Sequence, residues 1–202
     1  MTDGILRITA REQKTGTADR LGTHDFIVSL CAFLVDRRET MKKVGIVMGS
    51  DSDAPVIEKA VGVLKELKIP YEVHIYSAHR TPDKVREFSE NAASSGIGVI
   101  IAAAGMAAHL AGVIAASTTL PVIGIPCKSK VLDGIDALLS TVQMPAGVPV
   151  AAVAIDGGIN AALLCAQILA VSDEELAQRL KARREDEAKK VIEKNEGISE
   201  RF

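Results

Sequence analysis

Residues 44–53 read VGIVMGSDSD. The apolar run from Val44 to Met48 stops at Gly49 and gives way to alternating Ser and Asp. The segment that follows, Ala54–Lys68, sets Val56, Ala60, Val63, Leu64 and Leu67 on one helical stripe. A strand that alternated apolar with polar residues would have one wet face. A continuous apolar strand must be covered on both faces, the situation of a strand in a parallel sheet between crossover helices.

The same unit recurs down the chain. Strands are expected at Tyr71–Tyr76, Val99–Ala103, Val122–Ile125 and Val150–Ile155. Helices are expected after Thr81 and at Ala107–Ala116, Ile135–Thr141 and Asn160–Leu169. Thr81-Pro82-Asp83 is a helix start, with Thr as the cap, Pro at the first helical position and an acid in the first turn. Ser172 with Glu175 has the pattern of a capping box that opens a long charged helix. This repetition, with right-handed crossovers, predicts a three-layer α/β/α sandwich around a parallel, flavodoxin-like sheet of order 2-1-3-4-5. Ligands of such sheets bind outside the carboxyl ends of the strands, where the strand order switches.

The composition agrees. The chain is 48% hydrophobic but 3% aromatic, without Trp, so Gly, Ala, Val and Ile must make the core by close helix-on-sheet packing. A net charge of −2 leaves no basic field for nucleic acid. Cys31, Cys127 and Cys165 are far apart and lack a CxxC pair, which argues for a reducing compartment and against a zinc site. Cys165 reads as a buried helical thiol and Cys127 as an inert loop residue. The apolar run Phe26–Val35 falls short of the about 20 residues needed to span a bilayer, and residues 1–25 lack the pattern of a signal peptide. A cytoplasmic protein without membrane or nucleic-acid partners is expected.

Residues 1–40 carry no sustained period and are read as an N-terminal extension upstream of a natural start at Met41, with a small helix around Phe26–Arg37 as the alternative. Residues 41–171 are expected to form the main α/β domain. Residues 172–202 form a C-terminal helix whose broken apolar stripe (Leu176, Leu180, Ala188, Val191, Ile192) is expected to cover a neighbouring subunit.

Four segments fall just past strand ends: GSDSD (Gly49–Asp53), SAHR (Ser77–Arg80), AAGMAAH (Ala103–His109) and PCKSK (Pro126–Lys130). In the expected strand order they line one crevice. GSDSD matches neither a Walker loop nor a dinucleotide fingerprint. It either caps the helix through Ser52 or Asp53, or offers amides and hydroxyls to a phosphate or ribose, and Asp53 suits sugar hydroxyls. Arg80 carries a fork of donors that matches phosphate, and a histidine, here His79, is the side-chain type able both to accept and to donate a proton near neutral pH. Thr81-Pro82 fixes His79 at the end of the strand. Gly105 allows close approach of backbone to a ligand. His109 is either a second site histidine or a helix residue with its ring hydrogen-bonded to a neighbour, and His74, inside a strand, reads as structural. No cluster has metal-ligand spacing. The residues alone describe a pocket for a small phosphorylated molecule with one histidine for proton transfer.

VGIVMGSDSD, SAHRTPD, AAHLAGVIA, STVQMPAGVPVA and NAALLCAQIL, in this order, resemble the PurE family of purine biosynthesis, in its class I form. The resemblance covers about Lys42 to Glu193. It implies a flavodoxin-like subunit assembled as an octamer, with active sites near subunit boundaries. It implies conversion of N5-carboxyaminoimidazole ribonucleotide to 4-carboxyaminoimidazole ribonucleotide without a cofactor, metal, ATP or biotin, downstream of an ATP-dependent carboxylating synthetase. The family's catalytic histidine falls on His79, and its substrate contacts on Ser50, Ser52, Asp53, Ser77, Ala78, Arg80, Gly105 and Leu110. Two positions depart: Met106 replaces the usual second glycine, and Ala111 the usual proline. The alternatives are direct carboxylation of aminoimidazole ribonucleotide, as in the class II enzymes, and a non-catalytic nucleotide- or flavin-binding module. A flavin site would want stacking aromatics, and the chain has two Tyr and four Phe.

Overall fold

The computed structural model describes residues 41–199. Strands β1 (Lys43–Met48), β2 (Tyr71–Ile75), β3 (Ile97–Gly105), β4 (Val122–Cys127) and β5 (Ala151–Ala152) alternate with helices α1 (Ala54–Glu66), α2 (Pro82–Asn91), α3 (Leu110–Ala115), α4 (Ile135–Val142), α5 (Gly158–Ala170) and α6 (Glu174–Ser199). Every pairing is parallel, and the order is β2-β1-β3-β4-β5. This is the flavodoxin-like order expected from the alternation of apolar runs and helical stripes. The two readings of residues 1–40 lie outside the described residues.

Both faces of the sheet are dry because successive side chains of the central strands point to opposite sides. Val44, Ile46, Val99, Ile101, Ile123 and Ile125 meet Ala60 and Leu64 of α1 and Ala162 and Cys165 of α5. Val47, Ile100 and Ala102 meet Val85 of α2 and Leu110 and Ile114 of α3. The predicted stripe of α1, from Val56 through Leu67, is buried throughout.

Several boundaries differ from the sequence expectation, each for a local reason. The strand expected over Val150–Ile155 has only Ala151 and Ala152 in the ladder. Pro126 on β4 has no N–H to give, and what remains is Val153 N donating to Gly124 O at 3.2 Å and Asp156 N to Pro126 O at 2.9 Å. The helix expected from Ala107 begins at Leu110, because residues 106–109 form tight turns in which Ala108 N donates to Met106 O and His109 N to Ala107 O. The cap of α6 is Asp173, whose Oδ1 accepts Leu176 N at 2.9 Å; the Ser172 hydroxyl turns back to Leu169 O instead of forming a capping box. Thr81 precedes α2, but its side chain caps nothing. Its hydroxyl accepts Ser77 N at 2.8 Å and so closes the preceding loop.

Helix α6 is divided along its length. Leu176 and Leu180 add to the core of the same subunit, and Arg183 pairs with Glu66 of α1 at 3.1 Å. Farther on, Val191 and Ile192 are 66% and 59% exposed.

Helices this close need missing side chains. A Cβ on Gly158, at the start of α5, would lie 2.2 Å from Val56 O of α1, whereas one on Gly62, within α1, would meet nothing. Gly158→Ala is therefore expected to destabilise the fold by roughly 1–3 kcal/mol through overpacking. Gly62→Ala is expected to stabilise it by about 0.5–1 kcal/mol through helix propensity. Thermal or denaturant unfolding of the two variants checks the opposite signs.

Candidate active site

The crevice opens where the strand order reverses, between β1 and β3, and β2 and β4 extend it on either side. The ladder carries the loops slightly beyond the strands. Gly49 N donates to Ala103 O at 3.0 Å, Tyr76 N donates to Met48 O at 3.0 Å, and Gly105 stands in register with Cys127. All four predicted segments thus leave the same edge of the sheet.

The SAHR loop is clasped at its ends. Thr81 N donates to Ser77 O at 2.8 Å, Ser77 N donates to the Thr81 hydroxyl, and Arg80 N donates to Ser77 Oγ at 3.2 Å. The loop so fixed presents His79 and Arg80 outward. His79 Nε2 lies 3.0 Å from His109 Nδ1, with the rings edge-on at a centroid distance of 5.1 Å. A hydrogen bond there requires that one of the facing nitrogens carry a proton and the other not. The contact therefore suits a pair that is neutral or holds one extra proton, and it fails when both rings are charged. His109 stands just before α3 with its ring hydrogen-bonded to that of His79, a contact that both readings of it allow. His74 instead contacts Glu72 at 3.2 Å and stacks on Tyr76, away from this pair.

Arg80 reaches across to β1, where its guanidinium donates to Gly49 O at 2.8 Å. One such bond orients the group and leaves the rest of its five donors available. A cavity of about 440 Å³ lies here, lined by Gly49, Ser50, Asp51, Ile75, Ser77, Arg80 and Thr81. Ser50 is the cap of the short turn Asp51–Asp53: its hydroxyl accepts Ser52 N at 3.3 Å and donates to Asp51 Oδ1 at 3.0 Å. Asp53 stands at the N-cap of α1, as expected of it or Ser52, but makes no side-chain capping bond; the hydroxyl cap is that of Ser50 on the preceding turn.

Asp53 faces the other way, toward β4. It is 8% exposed. Burial pushes its carboxyl above the usual aspartate range, against hydrogen bonds from the Cys127 thiol, the Ser50 turn and Ser52, and the nearby Asp156 carboxylate adds to the rise. Cys127 is not a loop residue; it ends β4 and is buried. Burial also pushes its thiol strongly upward, with the Asp53 and Asp156 charges adding to the effect. Asp156 accepts Lys128 N at 2.9 Å, and the Lys128 side chain pairs with Asp133 at 3.1 Å. Leu110 has its side chain in the core, so it offers a ligand only main chain; Ala78 and Gly105 are half-buried at the crevice edge. Asp51 and Cys127 lie within segments expected at the crevice without having been singled out as site residues, and Thr81 and Asp156 were not expected there. The Asp-Gly-Gly that follows the expected fifth strand was the available signal for Asp156. Among the described residues no group of three or more His, Cys, Asp or Glu is placed to hold a metal ion, and no helix is long and apolar enough to cross a membrane.

The direction of the Asp53 shift has a consequence for stability. A carboxyl harder to ionise in the folded chain than in the unfolded one favours folding below the unfolded value and loses that contribution as pH rises through the folded one. Asp53→Asn is therefore expected to unfold at a higher temperature than the parent protein at pH 7. The difference should narrow as pH falls below about 4; melting curves across that range check it.

The comparisons with known proteins point one way. The family model described as AIR carboxylase matches residues 43–190. N5-carboxyaminoimidazole ribonucleotide mutase of Pyrococcus abyssi is 56% identical over 146 residues, which cover 72% of this chain and 84% of that protein. The Bacillus subtilis protein of the same name is 55% identical over 157 residues, covering 77% and 97%. The crystal structure of Treponema denticola PurE superposes with a TM-score of 0.71 at 33% identity, covering 77% of this chain and 97% of that one. With its parallel sheet, its crevice at the strand-order switch and relatives this similar over most of their length, the chain belongs to the AIR carboxylase family.

Proposed function

We propose that this protein converts N5-carboxyaminoimidazole ribonucleotide to 4-carboxyaminoimidazole ribonucleotide, a step of purine biosynthesis, as an intramolecular carboxyl-transferring mutase. The observation that carries the reading is the fixed His79 ring, 3.0 Å from His109 and adjacent in sequence to an Arg anchored on the neighbouring strand end. Relatives bearing the mutase name support it at 51–56% identity over most of their length.

The reaction asks for two proton transfers in opposite directions. When the N–CO2 bond breaks, its electron pair returns to the exocyclic nitrogen, which takes a proton. When the ring carbon attacks the freed CO2, it loses one. His79 does both, so its protonation state is restored within each turnover. His109 holds the ring and can share the proton across the 3.0 Å contact. Arg80 binds the phosphate with the donors that Gly49 leaves free, and Ser50, Ser52, Ser77 and Asp53 meet phosphate and ribose oxygens. Ala78, Gly105 and Leu110 contribute main chain at close approach. Holding CO2 beside its acceptor replaces a second-order encounter with a local one. No step here needs a metal or a cofactor.

The active unit is an oligomer, most simply an octamer in the cytoplasm, fed by an ATP-dependent carboxylating enzyme that makes the carbamate. Exposed Val131, Leu132, Ile135 and Leu139 on and before α4, and Val191 and Ile192 on α6, give the subunit apolar surface to cover. The far half of α6 is the part that reaches a neighbour. Residues 1–40 are an extension outside the catalytic domain 41–171.

With freshly prepared carbamate followed by ultraviolet absorbance, His79→Asn is expected to lower kcat by about 10²- to 10⁴-fold, with binding of the product nucleotide retained. Equal rates would remove His79 from the chemistry. Activity on aminoimidazole ribonucleotide plus bicarbonate, with none on the carbamate, would establish direct carboxylation instead. Arg80→Lys should raise KM roughly 10- to 100-fold while changing kcat less, because a point charge cannot reproduce the fork. Light scattering at micromolar concentration is expected to show the oligomer; a monomer would refute the assembly.

A further inference from the structure

Four non-glycine residues among those described have positive φ: Lys68, Met106, Asp133 and Asp156. Three have an ordinary reason. Lys68 follows the C-terminus of α1, where helices commonly end in a left-handed residue, and aspartate enters this region more readily than most side chains. Met106, at φ 55°, has neither reason. It stands one residue past β3, the central strand, between Gly105 and the tight turns that deliver His109 to His79. Its side chain is 65% exposed, so packing within the subunit does not offset the strained backbone. Glycine would occupy the same φ without strain. Strain of this kind, not offset within the subunit and placed between Gly105 and the turns that bring His109 to His79, points to a contact with a bound ligand.

The chemistry of the crevice shows what that contact would add. Apart from Ile75, the cavity beside Arg80 is lined by Ser, Asp, Thr, Arg and Gly. These suit a phosphate and a ribose but offer little to a flat heterocycle, or to neutral CO2 in transit. An unbranched, polarizable thioether can lie against an aromatic ring and follow it as the carboxylate changes position.

We propose that Met106 is a substrate-contacting, specificity-determining residue whose side chain closes over the heterocycle of the bound nucleotide and confines CO2 between its release from nitrogen and its capture by carbon. The proposal rests on the mutase reading. Met106 exchanges neither proton nor electron. One N–C bond breaks and one C–C bond forms, the nitrogen gains a proton and the ring carbon loses one, and no other reactant enters.

The test compares the full chain with Met106→Gly and Met106→Leu. Each is supplied with the carbamate in buffer containing isotopically labelled bicarbonate equilibrated with CO2, and the label in the product is measured by mass spectrometry. Binding of 4-carboxyaminoimidazole ribonucleotide is measured by calorimetry and the melting temperature recorded. Met106→Gly is expected to melt no lower than the parent, to bind the product about 5- to 30-fold more weakly, and to take up several-fold more label from solvent. Met106→Leu, which keeps an apolar cover, should stay near the parent in label and affinity. Parental affinity and labelling in Met106→Gly would overturn the proposal. A lowered melting temperature with unchanged labelling would overturn it too, since that marks a purely structural side chain. Failure of the parent itself to turn over the carbamate would count against the mutase reading, and product affinity in Met106→Gly would still decide whether Met106 meets the ligand.

Discussion

A parallel sheet has to bury both of its faces, and almost everything else in this molecule follows from that requirement. Because β1 and β3 occupy the middle of the order, their side chains on both faces are apolar, and helices must lie on both sides to cover them. The chain leaves the middle in two directions, toward β2 and toward β4, so the loops at the carboxyl edge diverge there and leave a crevice that no core residue fills. The polar residues of GSDSD and SAHR, Asp53 excepted, sit at an edge where the fold leaves them in contact with water. Fold and site have one cause.

Economy of side chains is the second effect of the same geometry. Layers and neighbouring helices come close enough to exclude a Cβ: one on Gly124 of β4 would lie 2.4 Å from the Thr141 side chain of α4, and one on Gly158 of α5 would strike the Val56 carbonyl of α1. A chain with 3% aromatics fills such a core with aliphatic side chains. Among the described residues, the rings of His74, Tyr76 and Phe88 contact one another at the edge strand.

What could be read in advance depended on how local the cause was. Continuous apolar runs and the stripe of α1 depend on nearby residues, and strand order followed once the runs were recognised. The pairing of His79 with His109 joins residues 30 positions apart, so the residue types announced it but the contact did not. The caps misled because hydroxyl and carboxylate groups have several bonding partners within reach: Thr81 closes its own loop, and Asp173 takes the position offered to Ser172. Cys127 looked like a loop residue because Pro126 precedes it, yet its pairing with Gly105 of β3 carries β4 through it and buries it in the core. Asp156 was hidden because its partner, Lys128 N, is far from it in sequence.

That buried thiol has a chemical corollary. Reactivity toward electrophiles and oxidants belongs to the thiolate, and its fraction falls as burial and neighbouring carboxylates hold the proton on sulfur. Cys127, buried at the end of β4, is therefore expected to resist alkylating probes and peroxide at neutral pH. A compound designed to capture this site covalently would find the histidine pair accessible and the nearest cysteine deaf to it.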